Sequence, residues 1–207
     1  MILEFIFRWS HVLFGLVWIG MLYYFNFVQT EYFKEAEASA KADAMEKLAP
    51  RALWWFRWGA MLTFITGLYL LHKVGAFTGL VTFGVIWLAA LAGIIMFLNV
   101  WLIIWPNQQI VLGLKEGDGP AAAAKAGLAS RTNTLLSGPM LFGMLGSKHL
   151  GVDYANSEMG LYICLGIVVL LEVNALVGKM GPITTVKGVI HSSVLLTGVL
   201  WGILRLV

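Results

Sequence analysis

Apolar positions along the chain fall into long unbroken runs, not into the alternation of a half-buried strand or the narrow stripe of a soluble helix. Six runs stand out, at about 5–28, 52–73, 78–105, 132–150, 159–179 and 185–205. Each is close to the roughly 20 residues that an α-helix needs to cross a bilayer at about 1.5 Å per residue. The fourth is the least apolar, since it contains Ser137, Gly138, Pro139 and Ser147. Glycine and proline are tolerated in a span where neighbouring helices satisfy the freed backbone groups. The pattern predicts an all-α polytopic membrane protein, a single domain over residues 1–207 built as a bundle of about six transmembrane helices. The first run is read as a permanent span, not as a removed signal.

Two longer polar segments interrupt the runs. Gln29 to Pro50 contains "EYFKEAEASAKADAMEKLAP", rich in Ala, Glu and Lys with i,i+4 partners such as Glu37 and Lys41, and is predicted to be helical. Pro106 to Arg131 holds a "GDGP" turn followed by "AAAAKAGLAS". No internal repeat is present.

Composition agrees with this pattern. Of the 207 residues 59% are hydrophobic and 12% charged, about half the charged share of a soluble domain, and the mean hydropathy is +0.83. The net charge of +3 does not point to nucleic acid, because no basic block interleaved with aromatics is present. It belongs to loop bias. Lys34, Lys41, Lys47, Arg51, Lys115, Lys125, Arg131, Lys179 and Lys187 follow runs one, three and five, against Arg8, Lys73, Lys148 and Arg205 on the other side. The positive-inside rule puts the richer side in the cytoplasm. The expectation is a bacterial inner-membrane protein with both termini in the periplasm. A single cysteine, Cys164, leaves no internal disulfide, thiolate cluster or CxxCH haem attachment.

Ionisable groups inside a membrane are costly, so each needs a reason. An outer layer holds Arg8, His11, His72 and His149. His11 lies roughly 9 Å below the outer boundary by helical rise. Arg8, His11, Gly15, Trp18 and Leu22 share one helical face. Gly15 leaves room for a flat macrocycle or for a neighbouring helix. Histidines on facing helices at similar depth are what axial ligation of haem b requires, with His11 and His149 as the candidate iron ligands, His72 as a further one and Arg8 in reach of a propionate. Copper or zinc would suit the same set. His72 beside Lys73 and His149 beside Lys148 also read as ordinary interfacial residues. An inner layer holds Arg57, Asn99, Glu172, Asn174 and His191, roughly 6–10 Å from the cytoplasmic boundary. It reads either as an intramembrane polar cluster or as structural glue, with Arg57 snorkelling. Gly188, His191, Leu195, Gly198 and Gly202 form a small-residue stripe on the last run.

Three stretches carry a resemblance: "RWSHVLFGLVWIGMLYYFNF" at 8–27, "NVWLIIWPNQQIV" at 99–111 and "AAKAGLASRTNTLLSGPMLFGMLGSKH" at 123–149. In this order they resemble the membrane domain of the urate hydroxylase PuuD family. The first run also resembles haem-binding HemJ-type protoporphyrinogen oxidases. His11, Trp18, Gly20, Pro106, Asn107, Gln108, Asn133, Pro139, Phe142, Met144 and His149 stand where the PuuD-family pattern has them. Thr132 stands where that family tends to have a histidine. The resemblance implies a multi-span membrane domain which in the family is followed by a periplasmic cytochrome c and assigned to urate oxidation; this chain lacks the cytochrome c motif. The expected function is a haem b redox component, in one branch an oxidoreductase subunit, working with a separate periplasmic cytochrome c. The alternatives are a cofactor-free subunit of a larger respiratory or photosynthetic membrane complex and, third, a small-molecule transporter lined by Glu172, Asn99 and His191.

Overall fold

The computed structural model describes residues 1–150 and 155–207, and among these there is no strand. Among the described residues nine α-helices follow one another: α1 (Ile2–Tyr23), α2 (Thr30–Glu35), α3 (Ala38–Asp43), α4 (Ala49–Lys73), α5 (Gly84–Leu98), α6 (Trp105–Val111), α7 (Gly119–His149), α8 (Glu158–Val177) and α9 (Val186–Leu206). The protein is an all-α membrane protein, and its six long helices coincide with the six apolar runs. Among the described residues four helical stretches are long and apolar enough to cross a bilayer by length and composition: Ile2–Glu35, Gly84–Val111, Glu158–Val177 and Val186–Leu206. The long helices α4 and α7 fall short of that because α4 carries Arg51 and Arg57 and α7 carries the polar run from Ser130 to Thr134.

Among the described residues three π-helical segments join helices end to end. Tyr24–Gln29 links α1 to α2, Ala44–Leu48 links α3 to α4, and Asn99–Ile104 links α5 to α6. A π turn adds a residue to the helical repeat and rotates the face that follows; such turns gather at functional sites. The third span therefore does not stop before Pro106. Pro106 falls directly after the π segment, inside a continuous helix that runs on to Val111; its missing N–H interrupts the helical ladder there. The Ala-rich stretch after "GDGP" is the first half of the 31-residue α7, started by Asp118, whose carboxylate accepts from Ala121 N at 3.0 Å. The segment after span one is helical as expected, apart from Ala36 and Glu37, whose backbones are extended. Its ion pairs are Glu31–Lys34 and Asp43–Lys47 in place of Glu37–Lys41, and Lys41 lies over the ring of Phe33.

Cα packing divides the chain into two compact units, Met1–Gly67 with Phe97–Arg131, and Leu68–Met96 with Thr132–Val207. In the first, Trp18, Leu22, Phe56 and Ala60 are core residues. Gly59 lets α4 pass the α1 backbone, since a Cβ there would lie 3.1 Å from Trp18 N. Phe64 and Phe97 stack with centroids 4.1 Å apart. In the second unit, close approaches run through small residues. A Cβ on Gly143 would lie 2.8 Å from that of Ala89, and one on Gly84 would lie 3.0 Å from that of Ala155. Gly75, at φ 77°, ends α4 in the left-handed conformation that glycine favours. Ser157 and Thr185 cap α8 and α9, their hydroxyls accepting from Gly160 N and Gly188 N. The outward faces are apolar. Ile2, Leu3, Phe5, Trp9, Val12 and Leu16 of α1 are all exposed, as a surface in lipid requires.

Candidate functional site

His11 stands on α1 against α4 within the first unit. Its Nδ1 lies 3.0 Å from the Thr63 carbonyl oxygen and 3.1 Å from Thr66 Oγ1. A carbonyl oxygen only accepts, so Nδ1 carries the proton of the neutral ring. The Thr66 hydroxyl has the Leu62 carbonyl in reach at 2.7 Å, which leaves its oxygen free to accept from the imidazole. Nε2 then keeps its lone pair. Fixing one ring nitrogen on a backbone carbonyl so that the other can ligate is how proteins commonly orient a metal-binding histidine.

Two threonines and a glycine on α4 make this seat. The Thr63 hydroxyl donates to Gly59 O at 2.7 Å, which turns its methyl toward α1, 4.0 Å from where a Cβ on Gly15 would be. The room beside Gly15 is thus taken by the neighbouring helix. The residue that makes space for the imidazole is Gly67, where a Cβ would lie 3.0 Å from His11 Cε1.

The other outer-layer residues differ. Arg8 bonds Glu4 one turn back, Nη2 to Oε1 at 2.6 Å. His72 and His149 are exposed at the ends of α4 and α7 and belong to the second unit, His11 to the first. Among the described residues no three His, Cys, Asp or Glu side chains form a metal-binding group.

The inner layer is divided in the same way. Arg57 and Asn99 belong to the first unit, Glu172, Asn174 and His191 to the second. The Arg57 guanidinium lies 3.8 Å above the Trp105 ring, a cation–π contact, and Trp58 meets Trp101 edge-on at 5.7 Å. Asn99 is buried at the start of its π segment. Glu172 is half-buried, and His191 is exposed. Asn174 turns back on its own helix end, Nδ2 donating to Lys179 O at 3.0 Å.

Sequence reasoning passed over a further polar set in the first unit. Asn26 is buried, donating from Nδ2 to Leu22 O at 2.9 Å and to Ser130 Oγ at 2.8 Å. Arg131, assigned above to a loop, is buried. The signal available was position: Trp18, Leu22 and Asn26 recur at i+4 on one face of the first span, so a polar residue shares the most buried stripe.

The family model for "Urate oxidase N-terminal" matches residues 75–180, just over half of the chain. The match contains the second and third of the stretches quoted above, whereas the first lies ahead of it. No curated protein and no solved structure matches significantly. The chain belongs to the urate oxidase N-terminal family, whose name is that of the N-terminal membrane domain of the PuuD urate hydroxylases.

Proposed function

We propose that the protein is a haem b-binding redox component of the bacterial inner membrane, with both termini periplasmic, that exchanges electrons with a periplasmic cytochrome c. The observation that carries this reading is the seat of His11, with Nδ1 on the Thr63 carbonyl and Nε2 left with its lone pair. Bound haem b would supply one-electron transfer at its iron. His11 would be a ligand to the iron, Thr63 and Thr66 would fix its tautomer and ring plane, and Gly67 would keep that plane clear. Lysine and arginine bias supports the orientation. The test is an optical spectrum of the purified full chain. A Soret band that His11→Ala abolishes supports the reading. A colourless preparation with no iron by elemental analysis overturns it.

A second reading, a cofactor-free subunit of a larger membrane complex, has its own observation. A Cβ on Gly20, Gly166, Gly198 or Gly202 meets nothing within 4 Å. These positions serve no packing within the chain, and small residues in spans favour close approach of another helix. Co-purification with a partner that Gly198→Leu disrupts supports this reading.

A further inference from the structure

Arg57 of α4 lies in a span with its charge unanswered. Among the described residues it joins neither an ion pair nor a hydrogen bond, and it is only half-buried. What holds it is the face of Trp105, with the guanidinium carbon 3.8 Å from the ring centroid. That separation is too short for the guanidinium to stand on edge, so it lies flat and its in-plane N–H donors stay available. Trp105 closes the third apolar run and is followed by Pro106, Asn107, Gln108 and Gln109. A tryptophan at such a place marks the headgroup level of a bilayer. The surroundings face outward. Trp54 and Trp58 of α4 are exposed, and so are Leu98 and Leu102 ahead of Trp105. Trp58 meets Trp101 edge-on at 5.7 Å and joins the two stretches.

We propose that Arg57, shelved on Trp105, binds the phosphodiester of an anionic phospholipid whose acyl chain covers the exposed Trp58 and Leu102. Two in-plane N–H groups donate to two phosphate oxygens, the forked geometry that guanidinium and phosphate share. A bilayer lipid meets every part of this surface. It supplies the missing negative charge, brings it at headgroup depth and covers side chains that face the bilayer. A singly charged lipid neutralises the guanidinium, whereas a zwitterionic one adds back the charge it removes. Free phosphate would answer the charge and leave the apolar side chains uncovered. The inference is independent of haem and of which side of the membrane the termini face.

The test is native mass spectrometry of the full chain in uncharged detergent with equimolar phosphatidylglycerol and phosphatidylcholine of matched acyl chains. The expected result is about fivefold more bound phosphatidylglycerol, the ratio that about 1 kcal/mol per basic residue at an anionic surface gives. Arg57→Gln should abolish that preference. Arg57→Lys keeps the charge and gives up the fork; it should show a clearly smaller preference, and it decides the matter if Arg57→Gln does not fold. Arg51, exposed at the start of the same helix, is the control, and Arg51→Gln should leave the preference near that of wild type. A preference that survives Arg57→Gln, or one that Arg57→Lys leaves whole, overturns the proposal. An equal loss in Arg51→Gln also overturns it, because the attraction would then be diffuse. So does inorganic phosphate displacing phosphatidylglycerol at constant ionic strength, which would assign the guanidinium to a free anion.

Discussion

The two units handle buried polar side chains differently. In the second, two of them bind helix to helix. Asn133 donates to Met96 O at 2.9 Å, and Ser193 donates to Leu135 O at 2.8 Å. Around them α5 and α7 approach through Gly143, and Gly84 of α5 meets Ala155 just ahead of α8. In the first unit several polar atoms are buried without a partner: Trp18 Nε1, Gln29 Oε1, Trp101 Nε1 and Arg131 Nη1. All three π segments found among the described residues also lie there, two of them on spanning stretches. Among the described residues the second unit has one such unmet atom, Thr132 Oγ1, so most of the unmet atoms lie in the first. Unmet polar groups are expensive inside a protein, and function is a common reason to keep them.

Substitutions can break or sharpen this contrast. The largest effect is expected at Gly143, where a Cβ would lie 2.8 Å from Ala89 Cβ and 3.2 Å from Val85 O. These are stiff neighbours, so Gly143→Leu should cost about 3 kcal/mol or more in detergent-induced unfolding, while Gly198→Leu leaves the isolated chain near wild type. Equal effects at the two positions would sink the account of tight packing in the second unit. Gly67→Ala comes next. It should push the imidazole off Thr63 and cost about 1–2 kcal/mol, and the ring resonances of His11 should move in NMR spectra of selectively labelled protein. Unmoved resonances would mean that Gly67 does not set the ring position. Asn133→Ala deprives a buried carbonyl of its donor and should cost about 1–2 kcal/mol, measured by the same unfolding assay. Arg57→Lys gives up the flat stacking on Trp105 for a compact ammonium. A loss of about 0.5–1 kcal/mol, with a change in tryptophan fluorescence, is expected, and an unchanged spectrum would count against the stack.

Much of this protein was legible in its residues, for reasons that differ from one element to the next. The spans show because lipid demands about 20 apolar residues in a row, and this demand leaves a mark that tertiary contacts do not erase. The family shows through "WPNQQ" and the run from Ser130 to His149, both inside the matched segment. His11 shows as an ionisable group in a lipid-facing run. What it touches does not, because Thr63, Thr66 and Gly67 lie more than fifty positions away and meet it only when α1 and α4 pack. Gly15, one turn from His11, was the natural guess for the space beside the ring, and the space belongs to Gly67 on another helix. Arg131 was read as loop charge because lysines and arginines cluster around it.

The π segments illustrate the same division. Nothing in "YFNFVQ" or "NVWLII" distinguishes a π turn from an α turn, since the two differ by one residue of register and not by composition. By itself the sequence determined that the chain is helical, that it lies in a membrane and where its long helices run, because those follow from the transfer of side chains and backbone into lipid. The tertiary structure alone decided which nitrogen of His11 is tied down, which glycine clears its ring, and which buried charge is left without a partner. Those depend on helix faces meeting at particular registers, and register is set by packing between segments far apart in the chain.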